Sequence, residues 1–233
     1  MPKRRSNDSL KRTSRNFTPR NLILIVVEGK ETEVQYLNSF KGELKLPTTK
    51  LKIVPSSYGT DPLNVVRYAE DLYKGHIGGD KKGNNLKYDE VFCLIDRDQH
   101  DLNNYNSAMQ KARACGFKLI RSIPCFEVWF LLHFCFSTKP FEKCSDVIEK
   151  LKQHMPSYSK SKEAYSFLAP HQEYAVQQAQ NLVQYHLQND PDNKFPNPLT
   201  DNRYAFAPHT VNQTEKLSIT VICYCLVQHF YLQ

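Results

Sequence analysis

Three acidic residues stand directly behind strongly apolar runs. Glu28 follows Leu22-Ile23-Leu24-Ile25-Val26-Val27, while Asp96 and Asp98 follow Val91-Phe92-Cys93-Leu94-Ile95. Both runs are rich in β-branched and aliphatic residues, the pattern of a strand buried on both faces of a parallel sheet. In open parallel α/β sheets, functional groups collect where the strands end. Three carboxylates gathered there repel one another, and a cation is the natural relief. Hard oxygen ligands suit Mg²⁺ or Mn²⁺, which share their coordination with phosphate oxygens. Such a site suits phosphoryl transfer, with the ion stabilising developing charge and a carboxylate or bound water handling the proton. Taken one at a time, the same acids also fit plainer roles. Asp98 and Asp101 can cap the following helix, and Glu28 can complement a helix dipole.

Further residues are candidates by position. Glu127 follows Ser122-Ile123-Pro124 and opens a helix, so it either joins the acidic cluster as ligand or base or compensates the helix dipole. Glu33 lies five residues after Glu28, and is either a support behind the ligands or an exposed helix acid. Lys30 and Lys160 are candidates for substrate phosphates. His133, among Leu131, Leu132 and Phe134, reads as a hydrogen-bonded core histidine, and Trp129 as core.

The elements that must position these groups follow from the pattern of the chain. The strand at 22–27 leads into a helix from about Thr32 to Phe40, with Val34, Leu37 and Phe40 on one side. Leu51–Val54 is a second strand. A turn then ends in Asp61 as N-cap and Pro62 as the first residue of a helix whose apolar face is Val65, Val66, Ala69 and Leu72. Tyr88–Ile95 is the third strand, a helix near Asn104–Cys115 stops at Gly116, and Phe117–Ile123 is the fourth strand. This alternation implies βαβ units and a mostly parallel, doubly wound four-stranded sheet flanked by helices. Beyond Pro124 helices take over: an apolar one at Phe126–Phe136, amphipathic ones at Ser145–His154 and Gln172–Gln188, and a last element from Thr214. The expected organisation is a basic disordered tail at 1–20, an α/β core at 21–136 and a mainly helical extension at 137–233.

Composition narrows the classes. The chain has 233 residues, 40% hydrophobic and 24% charged, ordinary for one soluble globular unit. Its apolar runs are too short to span a bilayer, and the basic start leads to Phe17-Thr18-Pro19 without an apolar signal region, so the expectation is cytoplasmic, with no membrane. The formal charge of +7 is mostly a tail effect. Residues 1–20 hold seven basic residues against Asp8, leaving 24 basic and 23 acidic residues for the rest. That tail either contacts phosphates or aids solubility. The cysteines number seven, lack a C-x-x-C pair, and read as reduced, with Cys93, Cys115, Cys125 and Cys135 acting as small hydrophobes. Cys223 and Cys225 make only a weak metal candidate.

Val26-Val27-Glu28-Gly29-Lys30-Glu31-Thr32-Glu33 resembles the first motif of Toprim domains, and Ile95-Asp96-Arg97-Asp98 resembles the second. More closely, the chain resembles the RloB-like family, a Toprim branch related to AbiL-type abortive-infection components. The segments that carry this are Gly59-Thr60-Asp61-Pro62, Ser122-Ile123-Pro124-Cys125-Phe126-Glu127-Val128-Trp129-Phe130-Leu131-Leu132-His133-Phe134, Tyr158-Ser159-Lys160 and Asn197-Pro198-Leu199-Thr200. The resemblance covers about residues 22–217 and implies a Toprim-like, Rossmann-like fold. It further implies Glu28 as general acid/base, Asp96 and Asp98 as Mg²⁺ ligands, and a phage-defence setting beside an RloA-like ATPase of the AAA/ABC type. A Walker A sequence is not among the motifs, so ATP hydrolysis would fall to that partner. The leading expectation is a metal-dependent nuclease acting on nucleic acid. A non-catalytic regulatory or nucleic-acid-binding subunit is the alternative, and strand transfer through a tyrosine is a third. A homo-oligomer is left open.

Overall fold

A computed structural model describes residues 22–43, 51–77, 88–97, 100–138 and 140–189. The basic tail, the segment from 190 onward, where the last element expected from Thr214 falls together with Cys223 and Cys225, and Asp98 lie outside the described residues. Four strands form one sheet: β1 (Ile23–Val27), β2 (Leu51–Pro55), β3 (Glu90–Asp96) and β4 (Lys118–Ser122). Between them run α1 (Thr32–Glu43), α2 (Pro62–Lys74) and α3 (Leu102–Cys115). All three pairings are parallel and the order is β2-β1-β3-β4. The fold is therefore α/β and Rossmann-like. From β1 the chain steps outward to β2, then passes back over β1 to β3. The strand order reverses between β1 and β3, and the crevice at such a point is where open α/β sheets place their ligands.

Each strand feeds two cores because its side chains alternate between faces. Ile23, Ile25 and Val27 of β1, with Phe92 and Leu94 of β3, pack beneath Tyr36, Leu37 and Phe40 of α1. Leu24, Val26, Cys93 and Ile95 point the other way, against Val65, Val66, Ala69 and Leu72 of α2 and Ala108 and Ala112 of α3. The anticipated apolar face of α2 is thus wholly buried. On the α1 side the core continues into α4 (Glu127–Leu132), α5 (Cys144–Lys152), the short α6 (Tyr165–Leu168) and α7 (Gln172–Gln188). Trp129, Phe130, Leu151, Leu168, Ala175 and Ala179 all join it. No helix among the described residues is long and apolar enough to cross a membrane.

Two expectations need correction. The apolar stretch 126–136 is not one helix: α4 ends at Leu132, and His133 and Phe134 leave it through turn bonds to Phe130 and Leu131. Its residues are apolar because every one of Glu127–Leu132 is buried, whatever its helical face, so hydrophobicity did not mark the helix end. Cys125 is not a lone reduced hydrophobe either. It is joined to Cys144 in a disulfide with Cα atoms 5.5 Å apart, whereas Cys93, Cys115 and Cys135 are free. The two positions are 19 residues apart, and only the packing of α5 beside the start of α4 brings them together.

The carboxyl edge of the sheet is laced by caps. Asp61 caps α2, accepting from the amides of Leu63 at 3.1 Å and Asn64 at 3.4 Å. Its other oxygen accepts from the Asn104 amide on α3, and Asn104 accepts in turn from the Leu63 amide at 3.2 Å. One aspartate thus fixes the starts of two helices. Asp61→Ala is expected to lower folding stability by about 1–2 kcal/mol, the upper range of N-cap losses, measured by chemical denaturation. A change within error contradicts this account of the edge.

Candidate acidic site at the carboxyl edge of the sheet

β3 outlasts its neighbour. Val27, the last residue of β1, pairs with Leu94, so β3 extends through Ile95 to Asp96, which is in register with Ser122 of β4. The Glu28 amide donates to the Leu94 carbonyl at 3.2 Å, continuing the ladder one step. Its side chain then turns across the crevice. Glu28 Oε2 accepts from the Asp96 amide at 3.0 Å, and Oε1 lies 2.9 Å from His100 Nε2. His100 comes from the β3–α3 loop, where the Arg97 guanidinium donates to its carbonyl at 2.7 Å and lies over the Tyr105 ring.

Glu33 enters from the first turn of α1. Its Oε1 accepts from the Gly29 amide at 3.2 Å, and the carboxylate lies so close over Gly29 that a Cβ there would collide with it. A side chain at position 29 would therefore push the Glu33 carboxylate off this amide. Glu127 enters from the start of α4 and is 1% exposed. Its Oε1 accepts from the Tyr158 hydroxyl at 2.9 Å and meets Lys160 Nζ at 3.5 Å, while Oε2 faces Cys144 Sγ at 3.5 Å. Lys160 is brought in by the loop after α5, whose backbone is held by the Thr32 hydroxyl donating to the Lys160 carbonyl at 3.1 Å.

These groups act on one another electrostatically. Burial holds the Asp96 carboxyl well above the usual range, and Glu33, Glu28 and Glu127 reinforce it against the opposing Ser122 hydroxyl. Burial also raises the Glu33 carboxyl, with Glu127 and Glu28 adding to it. For Lys160, partial burial pulls the ammonium down, but Glu127, Asp96 and Glu33 outweigh it and the net shift is upward. Four carboxylates and one ammonium therefore share a single field. Two buried carboxyls, Asp96 and Glu33, pushed towards the neutral form are the electrostatic state that a cation would reverse.

Of the residues singled out in the sequence, Glu28, Glu33, Asp96, Glu127 and Lys160 are brought together. Lys30 sits exposed on the turn between β1 and α1, and Asp98 lies outside the described residues. His133 is a core histidine: Nδ1 donates to the Trp129 carbonyl at 2.9 Å, and burial lowers its pKa to about 4. Three participants were missed. His100 follows the Asp-x-Asp segment in the same loop, Ser122 ends β4, and Tyr158 lies two residues before Lys160. The Tyr158-Ser159-Lys160 segment was the available signal for the tyrosine. Ser122 opens the Ser122–Phe134 segment in the same way, whereas a single histidine in a loop carries no such mark.

A second group of potential ligands adjoins the first. Cys125 Sγ, Glu127 and Cys144 Sγ are all buried, with ligand atoms within 4.8 Å of one another, a grouping that could hold a metal ion only with the disulfide reduced. Among known proteins, the family model described as RloB-like protein matches residues 23–203, which takes in every residue of the acidic site. Neither a curated protein nor a solved structure matches the chain.

The raised carboxyls carry a stability consequence with a definite sign. Unfolding returns Asp96 and Glu33 to the usual carboxylate value near ~4. Between that value and the raised folded ones, the folded chain binds more protons than the unfolded chain. Stability of the metal-free protein therefore falls as pH rises through that window. Asp96→Asn is expected to raise the thermal midpoint of metal-free protein at neutral pH, by about 2–4 °C for each kcal/mol relieved, and the gain should shrink towards pH ~4. A lower midpoint for the variant at neutral pH contradicts the repulsion.

Proposed function

The chain belongs to the RloB-like protein family, and from that premise we propose that it is a metal-dependent nuclease that hydrolyses phosphodiesters of DNA or RNA. The observation that carries this reading is the convergence of Glu28, Glu33, Asp96 and Glu127 with Lys160 at the crevice between β1 and β3. The donor set fits Mg²⁺ or Mn²⁺, because Glu28 and Asp96, with Asp98 two residues on, offer only hard oxygens. The raised Asp96 and Glu33 carboxyls fit as well, since a divalent ion beside them would favour their charged forms. When bound, the ion neutralises charge developing on the phosphoryl oxygens.

The remaining chemistry falls to side chains of this chain. Glu28 is the proposed general acid/base, as in Toprim domains, and it is well held for that work. The Asp96 amide fixes one oxygen and His100 the other, so the carboxylate keeps one orientation during proton transfer. Glu127 is the proposed second catalytic carboxylate, anchored by Tyr158. Lys160 holds a positive charge at the mouth, placed for a scissile phosphate, and Lys30 stands exposed beside Glu28 for a neighbouring one. The setting we propose is phage defence of the abortive-infection kind, with nucleic acid as substrate and an RloA-like ATPase as partner.

One observation favours a second reading. Lys160 already brings a cation to Glu127, so an acidic pocket can be partly neutralised without metal, as suits a non-catalytic subunit of the ATPase assembly. Cleavage separates the two. With Mn²⁺ and the partner ATPase present, the wild-type chain should cut DNA or RNA pools. Asp96→Asn and Glu28→Gln should keep the fold by circular dichroism and lower the rate on the order of 10²-fold or more. Equal cleavage by both variants would sink the nuclease assignment, and metal-independent binding without cleavage would select the second reading.

A further inference from the structure

Glu127 has two unlike oxygens. Oε1 is served by the Tyr158 hydroxyl at 2.9 Å and by Lys160 at 3.5 Å. Oε2 faces Cys144 Sγ at 3.5 Å. In the disulfide neither sulfur carries a proton, so this contact supplies no donor to a carboxylate oxygen of a residue that is 1% exposed. Buried carboxylate oxygens ordinarily find a donor or a cation. With the sulfurs reduced, the same contact becomes a thiol hydrogen bond, and with the thiols ionised it becomes two sides of a ligand set.

We propose that Cys125, Cys144 and Glu127 form a second cation site, of thiolate–carboxylate type, that takes a soft divalent ion of the Zn²⁺ class when the disulfide is reduced. The three ligand atoms lie within 4.8 Å of one another and all three residues are buried. Tetrahedral Zn²⁺ with bonds of about 2.0–2.3 Å holds its ligand atoms roughly 3.5 Å apart. The sulfurs need only separate by side-chain rotation to reach that spacing. Thiolates select such an ion over Mg²⁺. Charge closes as well: two thiolates and a carboxylate with a divalent ion leave one negative charge, and Lys160 lies beside it. The Tyr158 hydroxyl orients the liganding carboxylate from behind, as outer partners do at metal sites. Val128 and Val147, with Phe141 and Ile148, wall off the sulfurs with apolar surface.

The chemistry balances with a dithiol reductant. It delivers two electrons and two protons, the Sγ–Sγ bond breaks, two thiols form, and the reductant closes its own disulfide. Cation binding then releases the two thiol protons to solvent. The site shares Glu127 with the acidic cluster but does not rest on the nuclease reading.

The test is titration of the full chain with Co²⁺, after reduction by a dithiol and removal of the reductant without oxygen. The reduced wild-type chain is expected to show thiolate-to-cobalt charge-transfer absorption that saturates at one Co²⁺, and the disulfide form to show no such band, whatever Co²⁺ its carboxylates take up. The band should vanish in Cys144→Ser, weaken in affinity by at least about tenfold in Glu127→Gln, and persist in Asp96→Asn and in the Cys223→Ser/Cys225→Ser pair. Absence of the band in the reduced wild type, its persistence in Cys144→Ser, or its loss with Cys223 and Cys225 overturns the proposal. A readout without variants is protection from alkylation. Bound Zn²⁺ should shield Cys125 and Cys144 in peptide mass analysis, and unshielded thiols overturn the site equally.

Discussion

The 3.0 Å hydrogen bond from the Asp96 amide to the Glu28 carboxylate joins the ends of two neighbouring strands, and the rest of the site is arranged around it. It depends on register. Because Val27 pairs with Leu94, the backbone of β3 runs on past the end of β1 and presents a free amide where Glu28 turns inward. A shift by one residue would exchange the two faces of β1 and send Ile25 and Val27 into the wrong core. The apolar packing of the sheet thus enforces the position of its acids, although those acids repel one another.

Burial makes that repulsion consequential. A carboxylate cluster in bulk water is weakly coupled, but here solvent is displaced by α1, α4 and the loop that carries Lys160. A polar chain inside the core holds these pieces in place. Trp129 Nε1 donates to the Tyr36 hydroxyl at 2.8 Å, which donates to Gln172 at 3.0 Å, tying α4, α1 and α7 together. Glu33 rides on α1 and Glu127 on α4, so the same network sets the distance between two acids of the site.

The sheet and the strand-end acids were legible because both depend on local signals. Leu22–Val27 and Val91–Ile95 carry their burial in their composition, and the acids stand next to them in sequence. Asp61, Pro62 and Gly116 were readable as caps for the same reason. The end of α4 was not, because a fully buried helix shows no polar face to mark its boundary. Cys125 and Cys144 were not paired, His100 was not singled out, and Ser122 and Tyr158 stood only within family segments without a site role, because their roles are set by packing between elements distant in the chain. Glu127 stood between these cases. Its position after β4 hinted at the cluster, but only the fold shows that it faces both the acids and the sulfurs.

Cation binding by the strand-end carboxylates is the claim on which the functional reading turns. Its most direct measurement is a Mn²⁺ titration of the full chain followed by electron paramagnetic resonance, comparing wild type with Asp96→Asn and Cys144→Ser. Bound Mn²⁺ in wild type and Cys144→Ser, and its loss in Asp96→Asn, is the expected result. Equal binding by wild type and Asp96→Asn, or no binding by wild type, contradicts it.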